Sequence, residues 1–173
     1  SAKDIFLDEI SKFLPFYKVS AEPLSCRVIG FSREKNQQMV QHEHLILSSE
    51  KASLSLLIDQ NNNFQGELDS LSQDSWSINR KIMNDHQIKP EEMGKYRPHE
   101  IGQHTNRVSF NKGCFKGQEI IARMEYLGKL KKETKLIVHS SLDEVSKFII
   151  VGQSCRDNEK IFSSCLGKLD SFL

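Results

Sequence analysis

No apolar run in this sequence approaches the ~20 residues that a membrane-spanning helix needs. The opening stretch, Ser1-Ala2-Lys3-Asp4-Ile5-Phe6-Leu7, lacks the basic, apolar, small order of a secretory leader. Neither sign of charge dominates: Lys+Arg 24 against Asp+Glu 23 leave +1, which removes any global electrostatic case for nucleic acid or a membrane surface. The four cysteines, Cys26, Cys114, Cys155 and Cys165, include no Cys-x-x-Cys pair. That spacing argues against a zinc ribbon, a thioredoxin motif and a cluster-ligating run. Four cysteines in a chain this long are also weak grounds for a secreted disulfide framework, so a reduced, soluble compartment is the expectation. No internal repeat or low-complexity tract is present, and tryptophan occurs once, at position 76.

What remains is ordinary globular composition. Apolar residues make up 38% and charged residues 27%, unlike a disordered chain. The 173 residues suit one domain, or one with a small appendage, that buries roughly 70% of its unfolded surface. Residues 4–14 place Phe6, Ile10, Phe13 and Leu14 on one helical face, and Pro15 is expected to stop that helix. Strands are expected at Tyr17–Ala21, Cys26–Phe31, His44–Leu47 and Ser53–Asp59, with an asparagine loop at 60–63. Residues 33–42 suit a short helix or a loop. A helix follows from Ser72 to about His86, with Ser72, Asp74 or Ser75 as caps. Further strands are expected at Thr134–Ser140, Phe148–Gly152 and Ile161–Cys165. Helical periodicity ends at residue 127, so the chain divides into an α+β unit over 1–128 and a β-rich module over 129–173.

Chemistry concentrates in Asn111-Lys112-Gly113-Cys114-Phe115-Lys116-Gly117-Gln118-Glu119. Arg107-Val108-Ser109-Phe110 before it alternates like a strand, and Ile120, Ile121, Met124 and Leu127 after it recur at helical spacing. The stretch therefore reads as a strand-to-helix corner, its two glycines permitting tight or left-handed backbone. Lys112, Lys116 and the positive end of a helix would draw Cys114 below the unperturbed thiol pKa of ~8.5. The same backbone N–H groups would suit a carboxylate or phosphate. The bland alternative is a glycine turn whose cysteine packs as a small apolar residue.

The order Lys112-Gly113-Cys114-Phe115-x-Gly117-Gln118-Glu119 resembles the Lys-Gly-Cys-aromatic-x-Gly-Gln-Glu signature of the YgfZ family, folate-binding relatives of the glycine-cleavage T-protein. Arg97-Pro98-His99-Glu100 upstream, and Ala122-Arg123 with Gly128 downstream, stand at family-like distances. The resemblance implies a ferredoxin-like T-protein-type core around a folate pocket, followed by the start of a C-terminal β-barrel. It implies a tetrahydrofolate-binding accessory protein that supports assembly or repair of iron–sulfur clusters, including those of tRNA-modifying enzymes such as the radical tRNA methylthiotransferase. On that reading Cys114 and Lys112 carry the activity, with Cys114 acting on a transient cluster, a persulfide or a one-carbon adduct. Trp76 would stack on the pterin, Arg80 would pair with a folate carboxylate, and Gly113, Gly117, Gln118 and Glu119 would shape the cofactor site. Partners would be folate, cluster-assembly proteins and iron–sulfur client enzymes. The bacterial cytoplasm is the implied compartment, with the mitochondrial matrix as runner-up.

Two departures qualify what the resemblance implies. Met83-Asn84-Asp85-His86 stands where the family has an acidic residue and then Gly-x-Pro. The family is also longer, with an N-terminal portion that builds much of the pocket, so this chain reads as a shortened member or a fragment whose site a partner chain or oligomer completes. Rival readings are a folate-dependent aminomethyl or methyl transferase, and a non-enzymatic RNA- or protein-interaction module. Residue by residue the bland readings stand alongside: Trp76 as a core anchor, Arg80 as an exposed helix arginine, Glu119 as a helix-dipole partner. His42 and His44 read as surface residues, since no third metal ligand lies near them, and Lys129, Lys131, Lys132 and Lys135 as a solvated basic face.

Overall fold

Alternating apolar residues build two separate three-stranded antiparallel sheets, and the helix over Gln73–Ile82 touches both. A computed structural model describes residues 2–34, 37–38, 43–49, 52–61, 63–66, 71–115 and 117–172, leaving aside the side chains at 2, 43 and 45. The first sheet contains β1 (Arg27–Glu34), β2 (Glu43–Ser48) and β3 (Ala52–Asp59), in the order β1-β3-β2. β3 is central because both of its edges are satisfied, and it carries Leu54 and Leu57 into the core. The second sheet contains β4 (Lys132–His139), β5 (Ile149–Asp157) and β6 (Lys160–Lys168), in the order β4-β6-β5. β6 is its central strand, with Ser163, Ser164, Cys165 and Leu166 all buried. The architecture is α+β.

Helices α1 (Ala2–Ser11) and α2 (Leu14–Tyr17) precede the first sheet. The expectation at Pro15 was half right: the first helix does end, but Pro15 opens a second turn, where its missing N–H costs nothing. Tyr17–Ala21 is not a strand. Tyr17 closes α2, Lys18 takes a left-handed cap at φ 52°, and no strand pairs with the segment beyond. Between the sheets lie α3 (Gln73–Ile82), α4 (Gln103–Arg107) and α5 (Gln118–Leu127). Ser72 caps α3 by accepting from the Ser75 N–H at 3.0 Å, as the sequence suggests.

α3 links the two sheets. Asn79 Nδ2 donates to Ser32 Oγ on β1 at 3.1 Å, and Lys81 Nζ donates to Ser164 Oγ on β6 at 3.0 Å. Ile101, Val151 and Leu166 form a buried apolar cluster with Ile88 and Tyr96 against it. A short 3-10 turn, Pro90–Glu92, docks on β5: the Glu92 carboxylate is buried and accepts from the N–H groups of Lys89 and Gly152. The strands expected at Phe148–Gly152 and Ile161–Cys165 are longer than the periodicity indicates. Beyond Gly152, Cys155, Arg156 and Asp157 still pair across the β5–β6 hairpin, and beyond Cys165, Gly167 and Lys168 pair with β4. His42, Lys116 and much of the 33–42 reading lie outside the described residues.

Candidate functional site

The signature corner does not follow a strand. Arg107 ends α4, and residues 108–115 run as irregular backbone with no strand partner, so local alternation lacked the second strand a ladder requires. Only one of the two motif glycines needs its special backbone. Gly117 sits at φ +85° as the N-cap of α5, a conformation that penalises any Cβ, whereas Gly113 has ordinary φ. The turn closes reciprocally: the Gln118 N–H donates to the Phe115 carbonyl at 3.1 Å, and the Phe115 N–H donates to Gln118 Oε1 at 3.2 Å. Lys112 lays its ammonium 4.5 Å from the centre of the Phe115 ring, a cation–π contact. Cys114 between them is an exposed free thiol. Glu119 is exposed in the first turn of α5.

The upstream Arg97-Pro98-His99-Glu100 segment steadies this corner from behind. His99 Nε2 lies 3.0 Å from Glu125 Oε2, Arg97 Nη1 lies 3.9 Å from Met124 Sδ, and Phe110 meets Tyr126 edge to face. α5 buries none of its residues, so these side-chain clasps hold it in place of core packing. Its outer face leaves Ile120, Tyr126 and Leu127 exposed.

Trp76 occupies a different place. Its ring crosses Gly30 of β1 so closely that a Cβ there would lie 2.9–3.0 Å from three carbons of the benzo edge. Glycine is required at 30 for that approach. The half-buried indole forms one wall of an open groove of ≈ 640 Å³, whose lining also includes Val28, Ser32, Leu56 and Leu71. The lining contains no residue of the 111–119 stretch, so the structure does not bring Trp76 and Cys114 together. Nor does Arg80 reach this groove. Both Nε and Nη2 of Arg80 donate to Asp85 Oδ2, and Arg107 donates to both oxygens of the same carboxylate at 2.8–3.1 Å.

Sequence reasoning missed a buried polar cluster at the end of α3. Lys81 is 5% exposed, Asp85 2% and His86 0%. Ser164 Oγ joins Lys81 Nζ to His86 Nδ1, at 3.0 and 2.8 Å. Burial, with Lys81 next in weight, lowers the His86 pKa to about 4, so its ring is neutral at physiological pH. Met83-Asn84-Asp85-His86 marked the spot as a departure, but a lysine on a polar helix gives no sign of burial. Among the described residues, no group of three or more His, Cys, Asp or Glu could hold a metal ion. No described helix is long and apolar enough to cross a membrane.

The chain is 26% identical to the tRNA-modifying protein YgfZ of Vibrio atlanticus (strain LGP32) over 163 residues, 84% of this chain and 50% of that protein. It is 38% identical to the tRNA-modifying protein YgfZ of Colwellia psychrerythraea (strain 34H / ATCC BAA-681) over 66 residues, 38% of this chain and 20% of that protein. The chain thus spans about half the length of the Vibrio relative. No family model and no solved structure matches.

Proposed function

The chain belongs to the YgfZ family, and on that premise we propose that it is a tetrahydrofolate-binding accessory factor. In this reading it supports assembly or repair of iron–sulfur clusters in client enzymes, tRNA-modifying enzymes among them. The observation that carries the proposal is the Cys114 thiol, free and exposed at the glycine-capped start of α5. An exposed thiol beside a hydrogen-bonded turn is available for exchange with a partner, whereas a packing cysteine would be sealed. A single thiol does not fit a resident cluster, which takes several thiolate ligands, so the cluster is cargo and not a cofactor of this chain.

The residues beside Trp76 suit a flat heterocycle. Gly30 leaves the sheet bare beneath the indole, and the open groove is large enough for a pterin against an aromatic wall. Tetrahydrofolate, when bound, supplies a one-carbon carrier; Trp76 would hold its ring, and the backbone about Gly113, Gly117, Gln118 and Glu119 would belong to a separate anion-facing corner. Because the relatives are longer, a further segment or partner chain would complete the pocket. The finer fold assignment, a T-protein-type core over 1–128 and the start of a barrel over 129–173, belongs to the same proposal, as does a bacterial cytoplasmic setting.

Two measurements test it. Tetrahydrofolate added to the protein should quench intrinsic fluorescence saturably, because Trp76 is the sole tryptophan. Gly30→Val, which pushes the indole off the sheet, should weaken binding about tenfold, the equivalent of one lost stacking contact. Absence of quenching together with absence of binding in equilibrium dialysis would overturn the folate assignment. Separately, Cys114→Ala should fold and bind folate normally yet fail to restore cluster-enzyme activity in a deletion strain. Full restoration would remove Cys114 from the function.

A further inference from the structure

A further cavity, ≈ 330 Å³, is lined in part by Lys81 and Asp85 of the buried cluster described above. Its wall also includes the amide and hydroxyl groups of Ser77, Gln87 and Gln153, the Cys155 thiol, a second carboxylate, Asp74, and a second amine, Lys89. Lys81 is the unusual member. It is buried, and its single hydrogen bond runs to a neutral hydroxyl, Ser164 Oγ. No carboxylate among the described residues lies within ion-pair distance of it. Asp85, the nearest acid in sequence, is already taken by Arg80 and Arg107. A lysine held for structure alone would be expected to find a carboxylate or to snorkel to water.

We propose that this cavity captures a small polar aldehyde, with the Lys81 amine as the nucleophile and Ser164 as the group that positions it. This proposal is independent of the folate reading. The lone pair on Lys81 Nζ adds to the carbonyl carbon, and the proton released from nitrogen passes to the former carbonyl oxygen. The carbinolamine then expels that oxygen as water, leaving an imine between Nζ and the aldehyde carbon. One C–O double bond is exchanged for one C–N double bond and one water, with no oxidant or reductant. The hydroxyl and amide groups of Ser77, Gln87 and Gln153 provide hydrogen bonds for a hydroxylated aldehyde.

The electrostatic setting favours the free amine. Burial lowers the Lys81 pKa below the ordinary 10.5; the thiols of Cys155 on β5 and Cys165 on β6 oppose this, Arg80 on α3 reinforces it, and Glu92 of the 90–92 turn opposes it. Burial also raises the Cys165 thiol to about 11, so it offers no thiolate to hold an ammonium at neutral pH. His86, which shares Ser164, is likewise uncharged there. A desolvated lysine of this kind is the ordinary form of an imine-forming nucleophile.

The test is competitive labelling of the native full chain with glycolaldehyde and cyanoborohydride at pH 7, followed by peptide mapping. Lys81 should be alkylated at least about tenfold faster than exposed Lys129 or Lys160, and the preference should vanish in denaturant. A Lys81→Met protein with unchanged far-UV circular dichroism should lose the fast site alone. Labelling of Lys81 no faster than Lys129 in the native wild-type chain would overturn the proposal, whether or not the variant folds.

Discussion

Gly152→Ala is expected to destabilise the protein by about 4 kcal/mol or more, placing it among the exceptional single substitutions. Two independent obstacles meet at this position. Gly152 lies at φ +69°, where an L side chain costs on the order of 1–3 kcal/mol. In addition, a Cβ would stand 1.9 Å from the backbone carbonyl oxygen of Gln87, which cannot swing aside as a side chain would. Relief requires moving the 87–92 segment off β5, and that movement breaks the Gly152 N–H donation to Glu92 at 2.9 Å. The position also lies where the β5–β6 register shifts, between Val151 and Cys155, so the ladder offers no compensating bond. Urea unfolding should show a lower midpoint at unchanged slope. Gly94→Ala is the control: φ is +77° but open space surrounds it, so the cost should be only about 1 kcal/mol. Equal effects at the two glycines would show that strain alone, and not contact with Gln87, limits Gly152.

Asp85→Ala should cost about 3 kcal/mol, near the lower end of what breaking a buried ion pair costs. The Asp85 side chain is 1% exposed, and its removal strands the Arg80 guanidinium, which is 16% exposed. Arg107, at 41%, can rehydrate, and its share is therefore small. The same carboxylate predicts acid sensitivity. Burial pushes its pKa up, but hydrogen bonds from Arg107 and Arg80, and their charges, outweigh that and hold it below the ordinary 3.8. The unfolded chain then takes up this proton before the folded one does. Stability from Asp85 is complete above the ordinary value and is lost as pH falls toward the folded one. Other lowered acids, Asp59 and Glu144, act in the same direction, so the measurement is a difference. Wild type should lose more stability than Asp85→Asn between about pH 5 and pH 2. Parallel acid profiles for the two proteins would remove Asp85 from that dependence.

How far the sequence could be read depends on whether a feature is local. The existence of β3, the Ser72 cap and the apolar spacing of α5 all depend on a few residues, and these elements appear near where periodicity places them. The alternation Leu54, Leu56, Ile58 does not give the buried face of β3, however: Leu57 is buried and Ile58 exposed. Tyr17–Ala21 and Arg107–Phe110 alternate just as well, yet neither is a strand. Alternation specifies a surface, whereas a strand also needs a partner to take its N–H and C=O groups. Trp76 shows the same limit. Its helix was legible, but its approach to Gly30 depends on a strand more than forty residues earlier.

The sequence by itself determined the signature corner, because a left-handed Gly117, its Gln118 return bond and the exposed Cys114 form within a handful of consecutive residues. Only the tertiary structure decided that Lys81, Asp85 and His86 are buried. Charged residues on a helix are ordinarily solvated, and their burial here comes from Ser164 and its neighbours on β6, some eighty residues on. It likewise separated Trp76 from Cys114. Distance between sites is set by how sheets and helices pack, which no spacing along the chain encodes.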